Sequence, residues 1–355
     1  MVESLAKRSL RKVTPYAADS KIKGIPLDAN ENRNLAFKLN DKIAEAIMAL
    51  DISRYPDPEA KVLKKKIAAD NWINEECVIV GSGSDQLILM MIQAFINEGD
   101  KIVTPAPTFS MYGISNGIAG GETIQVDMGE FFSFDFYKFI KRVNKEEPKL
   151  IFISNPNNPT GGMVDREHII KLLENFKGIV VIDEAYYEFS GRTVMDLVPY
   201  YPKLVVLRTL SKAYGLAGAR VGYGVASKEI IGILKKVKPP YNLSVLDQQA
   251  AIICLQNKEI FQPSIEEILE ERLWLTKALG SFPGVEVFNS YGNFLLIRLK
   301  GAKELYNYLQ SKGIFIRHFN EGGSLANCLR VTVGTKEENR AFIGSLKEWM
   351  NTLKI

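Results

Sequence analysis

Short β-branched runs alternate with longer helical patterns through the middle of the chain, and this alternation constrains the fold more than any other feature. Val78–Val80, Lys101–Thr104, Leu150–Ser154, Ile179–Ile182, Leu204–Arg208 and Val221–Val225 are brief and apolar, and Gly, Pro, Asn or Asp bound them. They read as buried strands. Helical patterns such as Asp85–Ile96 and Arg166–Asn175 lie between several of them. The alternation predicts an α/β domain with a mostly parallel sheet between helices. Sheets of that kind bind ligands outside the carboxyl ends of their strands.

The texture changes after about Lys235, where Lys238-Pro239-Pro240 breaks the chain. A long helical stretch is expected from Leu246 to near Gly280. It is followed by the strand Asn293–Leu299, the helix Ala302–Ser311, the strands Ile314–Arg317 and Leu329–Val333, and a last helix from Lys336. The expected division is a large α/β domain over 41–245, a smaller α+β domain over 246–355, and a segment 1–40 that joins the smaller one. A length of 355 residues suits two domains.

Composition excludes several classes of function. Against 41 acidic residues stand 45 basic ones, a net charge of +4 that is too small to argue for nucleic acid or an anionic membrane. Cys77, Cys254 and Cys328 are odd in number and far apart, which fits neither a disulfide framework nor a cysteine-type zinc site. With only His168 and His318, a metal centre built on imidazoles is not expected. The longest apolar run, Leu87 to Ile96, is interrupted by Gln93 and far short of the roughly 20 residues of a membrane span. Met1 to Lys12 is basic without a continuous apolar stretch, so it does not read as a secretory signal. A cytoplasmic protein is expected.

Four strand ends carry chemistry. Gly81-Ser82-Gly83-Ser84-Asp85 opens a helix, as a phosphate cradle or as a simple turn capped by Asp85. Ser154-Asn155-Pro156-Asn157-Asn158-Pro159-Thr160-Gly161-Gly162 is a rigid loop. Its polarity directly after a buried strand is better explained by a ligand than by a turn alone. Asp183-Glu184-Ala185-Tyr186 places a carboxylate where burial is costly, either as a helix cap or as the partner of a cationic ligand atom. Thr209-Leu210-Ser211-Lys212 places a lysine among small and apolar residues, with Arg220 eight positions on. That lysine is a desolvated nucleophile or a surface residue in a Gly/Ala loop. Jointly these sites supply an anion cradle, an acid, a phenol and an amine, the set that pyridoxal 5'-phosphate needs.

SNPNNPTG (Ser154–Gly161), DEAY (Asp183–Tyr186) and TLSK (Thr209–Lys212) with Arg220 resemble the motifs of fold-type I aminotransferases. More narrowly, LDANEN (Leu27–Asn32), RYPDP (Arg54–Pro58), GSDQL (Gly83–Leu87), RTLSKAYGLAGARVG (Arg208–Gly222) and CLRVTVGT (Cys328–Thr335) resemble the histidinol-phosphate aminotransferase family. The likeness covers residues from about 13 to 345. It implies a fold-type I α/β enzyme, usually a homodimer, that carries pyridoxal phosphate as a Schiff base on Lys212. It implies small-molecule substrates, L-histidinol phosphate with glutamate and 2-oxoglutarate, within histidine biosynthesis.

Residue by residue, the resemblance implies that Lys212 holds the cofactor and shuttles the proton, and that Asp183 pairs with the ring nitrogen. Asn158 and Tyr186 would bind the ring oxygen, and Phe109 would stack on the ring. Gly83, Ser84, Asp85, Thr209, Ser211 and Arg220 would hold the phosphate, joined by Tyr55 from the neighbouring subunit. Arg330 matches the substrate-anion arginine and Arg317 the arginine for the substrate phosphate. Tyr16 and Asn30 are carried over as substrate contacts. Arg33 stands where the family often has proline, and Phe109 where tyrosine is common. Threonine-phosphate decarboxylase and an aromatic amino acid aminotransferase are alternatives within the same fold. A non-catalytic sensor with this fold is a remote one.

Overall fold

A computed structural model of the chain describes residues 2–13, 23–33, 39–319 and 322–352. Among them twelve strands form two sheets. In chain order these are β1 (Ile25–Leu27), β2 (Val78–Ser82), β3 (Lys101–Ala106), β4 (Glu122–Asp127), β5 (Leu150–Ser154) and β6 (Ile179–Asp183). Then come β7 (Leu204–Thr209), β8 (Val221–Val225), β9 (Glu286–Val287), β10 (Phe294–Arg298), β11 (Ile314–His318) and β12 (Cys328–Thr332).

The larger sheet runs β2-β8-β7-β6-β5-β3-β4. Its pairs are parallel from β7 through to β4, whereas β8 lies antiparallel to both β2 and β7. Alternate residues serve opposite faces. Ile151, Ile153, Val180 and Ile182 pack with helices Lys61–Asn71, Phe136–Glu146 and Arg166–Asn175. Leu150, Phe152, Val181 and Val205 pack with helices Gly83–Phe95 and Lys228–Val237. Burial on both faces is the reason these strands read as continuous apolar runs. The edge strand β4 differs, exposing Glu122, Gln125 and Asp127 while burying Ile124 and Val126. The sequence reading did not single it out.

The smaller sheet runs β1-β11-β12-β10-β9, with β1 parallel to β11 and the rest antiparallel. β1 thus ties an N-terminal stretch to this sheet. Arg8–Lys12, by contrast, lies near helix Met111–Ala119 of the larger one, where Ser9 donates to the carbonyl of Ile118 at 3.1 Å. The single helical stretch expected over 246–280 is two helices, Val245–Gln256 and Gln262–Gly280. Asn257 ends the first by donating its side-chain amide to the carbonyl of Ile253 at 2.7 Å. Pro263, which only a first turn tolerates, begins the second. The first of these helices serves both cores, through Ala251 and Leu255 on one side and Ile253 and Cys254 on the other.

Candidate active site

A cavity of about 490 Å³ lies where the carboxyl ends of the larger sheet face the smaller one. Ser84 and Asp85 enter it after β2, Phe109 and Met111 after β3, and Ser154 and Asn158 from the end of β5. Asp183, Ala185 and Tyr186 enter from β6, and Thr209, Ser211 and Lys212 from β7. Arg220 precedes β8. Because that strand runs antiparallel, its start lies at the same rim. The smaller sheet contributes Asp28, Ala29 and Asn30 after β1, Arg317 from β11 and Arg330 from β12.

At one end of the cavity the helix Gly83–Phe95 begins with Gly83 at φ +73°. The N–H of Gly83 donates to the carbonyl of Arg220 at 2.8 Å. The first-turn N–H groups of Ser84 and Asp85 have no intrahelical acceptor, which suits an anion. Arg220 donates to Asp85 Oδ2 at 3.1 Å and to Ser211 Oγ at 3.2 Å, and Thr209 Oγ1 donates to Ser211 Oγ at 3.0 Å. A Cβ on Gly222 would stand 2.3 Å from the Ser84 nitrogen, so β8 passes this cradle only as glycine.

Asp183 is buried, with Tyr112 donating to Oδ2 at 2.8 Å and the N–H of Ala185 donating to Oδ1 at 3.1 Å. Burial pushes its carboxyl up to about 6, opposed by the Tyr112 hydrogen bond. Among the described residues no cation forms an ion pair with it. Tyr112 is itself fully buried, stacked on Phe152 at 4.9 Å and met edge-on by Phe109 at 5.6 Å. It was not singled out from the sequence. Its signal there is its place three residues after Phe109, near the start of helix Met111–Ala119.

Lys212 donates from Nζ to the carbonyl of Ala29 at 2.8 Å. Burial, and then the Arg330 guanidinium, push its amine down to about 8. Arg330 donates to Asn158 Oδ1 and to the carbonyl of Asp28. The other asparagines of the loop brace it internally. Asn155 bonds the backbone of Val164, and Asn157 bonds Pro107, Thr108 and Thr160. Arg317 stands directly across from Arg330 in the β11–β12 register. Like charges so placed repel, which favours an anion at this wall.

Behind the cavity, Glu184 and Arg208 form an ion pair at 2.9 Å with side chains only 1% and 5% exposed. Thr193 and the N–H of Val194 also donate to Glu184, and Arg208 lies 3.5 Å above the Tyr187 ring. The pair thereby ties the residue after Asp183 to the residue before Thr209.

Not every expected residue lines the cavity. Gly83 is not one of the lining residues, and its N–H is engaged by the Arg220 carbonyl. Tyr55 is 82% exposed and stacks on Tyr241 at 4.4 Å instead. Tyr16 lies outside the described residues. Asp28, Ala29 and Met111 line the cavity and had no role assigned from the sequence. For Asp28 and Ala29 the contacts run through backbone carbonyls, which side-chain chemistry does not reveal.

The profile of the aminotransferase class I and II family matches residues 22–346. A histidinol-phosphate aminotransferase from Thermoanaerobacter sp. is 41% identical over 349 residues, 98% of this chain and 99% of the relative. The solved structure of a histidinol-phosphate aminotransferase from Sinorhizobium meliloti, in complex with pyridoxal-5'-phosphate, superimposes with a TM-score of 0.89. It covers 98% of this chain and 97% of that one at 23% identity, a likeness that shows the fold. An L-threonine-O-3-phosphate decarboxylase from Porphyromonas gingivalis shares the architecture at a TM-score of 0.80 and 25% identity, over 92% of this chain and 99% of that one. The chain belongs to the class I and II aminotransferases and, within them, to the histidinol-phosphate aminotransferase family.

Proposed function

We propose that the chain is a pyridoxal 5'-phosphate-dependent aminotransferase that moves the amino group between L-histidinol phosphate and 2-oxoglutarate. The cavity suits the cofactor on its own chemistry. A buried carboxylate without a cation fits a protonated ring nitrogen, and an anion cradle fits a phosphate. Between them stand an amine with a lowered pKa and the ring of Phe109. The cofactor, when bound, supplies an electron sink for the bonds at the substrate Cα.

The remaining chemistry belongs to the chain. Lys212 provides the amine that holds the cofactor and the base that takes the Cα proton, and a pKa of about 8 suits both tasks. Asp183 keeps the proton on the ring nitrogen. Asn158 and Tyr186 bind the ring oxygen. Ser84, Asp85, Thr209, Ser211 and Arg220 seat the phosphate, while Gly83, expected beside them, spends its N–H on the Arg220 carbonyl and shapes the turn.

The observation that carries the substrate reading is Arg317 facing Arg330 across one wall of the cavity. A phosphate monoester carries up to about two negative charges near neutral pH. A dicarboxylate such as 2-oxoglutarate carries a similar charge. One pair of guanidinium groups can therefore receive both alternating substrates. The protein works as a homodimer in this reading, with exposed Tyr55 reaching the cradle of the neighbouring subunit. Balanced charge, and no helix among the described residues long and apolar enough to cross a membrane, support a cytoplasmic enzyme.

The test is the absorbance of the protein with pyridoxal phosphate, before and after adding histidinol phosphate without any keto acid. The visible band should bleach and near-ultraviolet absorbance should grow. A visible band that persists would leave the cofactor assignment and overturn the substrate. Release of carbon dioxide from threonine phosphate at a higher rate would identify a decarboxylase instead.

A further inference from the structure

All the polar heavy atoms of Asn30 are engaged by the protein. Its N–H donates to Thr332 Oγ1 at 3.0 Å, and its carbonyl accepts from Asn293 Nδ2 at 3.0 Å. Its Oδ1 accepts from Thr332 Oγ1 at 3.2 Å, and its Nδ2 donates to Tyr186 Oη at 2.9 Å. Asn30 and Thr332 are each about 1% exposed, and Tyr186 is buried as well.

Proton bookkeeping then fixes the direction of each bond. The buried Thr332 hydroxyl already accepts from the backbone, so its single proton needs an acceptor, and Asn30 Oδ1 is that acceptor. The amide is thereby oriented with its NH2 toward Tyr186. An amide nitrogen cannot accept, so the phenol oxygen receives a hydrogen bond and its own proton remains unspent. Among the described residues Tyr186 Oη has no other hydrogen-bond partner. Tyr186 lines the cavity.

We infer that Asn30 is a positioning residue: through its amide, oriented by Thr332, it holds the Tyr186 hydroxyl as a hydrogen-bond donor directed into the cavity. This rests on the cofactor reading above, in which that donor meets the cofactor's ring oxygen. Asn30 therefore acts on the ring through tyrosine, in place of the substrate contact expected from the sequence. Its backbone φ of +55° is one that asparagine tolerates better than most residues. Thr332 lies on the same strand as Arg330, so the strand that carries an anion-binding arginine also sets the polarity of the phenol.

The test is a pH titration of the visible absorbance of the cofactor-loaded protein. A donor at the ring oxygen, which is ortho to the formyl group that would join Lys212, draws negative charge from that oxygen. Without the donor that oxygen is more basic and the titration midpoint rises. Asn30→Gly keeps the left-handed backbone and removes only the amide. Asn30→Asp reverses the bond, because a carboxylate takes the phenol proton for itself. Asn30→Asp should raise the midpoint by about one pH unit, the size of one hydrogen bond to a charged group, and Asn30→Gly, which leaves the phenol its proton but not its orientation, by a smaller step. Thr332→Val should raise it by less. In the Tyr186→Phe background, Asn30→Gly should add no further shift.

Three results would overturn the inference. One is an unchanged midpoint in the Asn30 variants. Another is an Asn30→Gly shift that persists in full in the Tyr186→Phe background. The third is a wild-type protein with no titrating band, which removes the cofactor reading and this inference together. If Asn30→Gly fails to fold, Asn30→Asp and Thr332→Val decide the question by the same midpoint.

Discussion

Burial moves Lys212 and Asp183 in opposite directions, and in the proposed function each sets a pH limit on cofactor binding. An amine with a pKa near 8 is mostly protonated at neutral pH but far more available than an ordinary lysine. Attachment of pyridoxal phosphate to the cofactor-free protein should speed up as pH rises to about 8 and then level off, measured by stopped-flow absorbance. The folded chain gives up this proton before the unfolded chain does. Stability of the cofactor-free protein therefore gains from Lys212 as pH rises from about 8 towards 10.5. Asp183 works the other way. Its carboxyl holds a proton up to about 6 when folded, so its contribution to stability falls as pH rises from 3.8 to about 6. A cationic ring nitrogen needs the carboxylate, so cofactor affinity should fall as pH drops below about 6. Tyr112→Phe removes a donor to that carboxylate and should move this acid limb upward by about one unit in a binding titration. Lys212 and Asp183 were legible because polar residues just past apolar runs stand out, whereas Asn158 was separated from Asn155 and Asn157 only by the family resemblance. Tyr112 was hidden because an aromatic beside other aromatics reads as core, and only its distance to Asp183 gives it a role.

The elements that seat the cavity do so by close approach and by buried charge. β8 passes the start of helix Gly83–Phe95 so closely that a methyl at Gly222 would strike the Ser84 nitrogen and the Gly83 carbonyl carbon. Gly222→Ala should weaken cofactor binding and cost about 1–3 kcal/mol of stability, as overpacking does. Equilibrium dialysis and chemical denaturation would measure the two effects. Arg208→Met leaves Glu184 buried without its cation and should cost about 3–5 kcal/mol, read from the shift in denaturation midpoint. The strands β5 and β8 were legible to the residue because both faces are buried and, apart from Ser154 at the end of β5, every position is apolar or glycine. β4 escaped because an edge strand alternates. β9 is only two residues long and shows no period. The break near Asn257 was obscured because apolar residues continue on both sides of it, and capping, not composition, ends the first helix.

At the scale of the molecule, the change of texture after about Lys235 falls between β8 of the larger sheet and β9 of the smaller one. The path of the first residues was not legible in this way, since β1 contributes three residues to one sheet while Arg8–Lys12 lies near the other. The homodimer proposed above should appear in light scattering at twice 39.8 kDa. Tyr55→Ala should then weaken cofactor retention without altering the midpoint of the visible band. The reversal of β8 has a consequence of its own. Because β7 and β8 are antiparallel neighbours, the chain from Thr209 to Val221 is a single loop closing a hairpin, and both Lys212 and Arg220 ride on it. The proposed covalent handle and phosphate handle are therefore spaced by one short local ruler. Arg317 and Arg330 belong to the other sheet. Any rocking of the two sheets against each other would resize the compartment for the incoming amine while leaving the gauge for the cofactor unchanged.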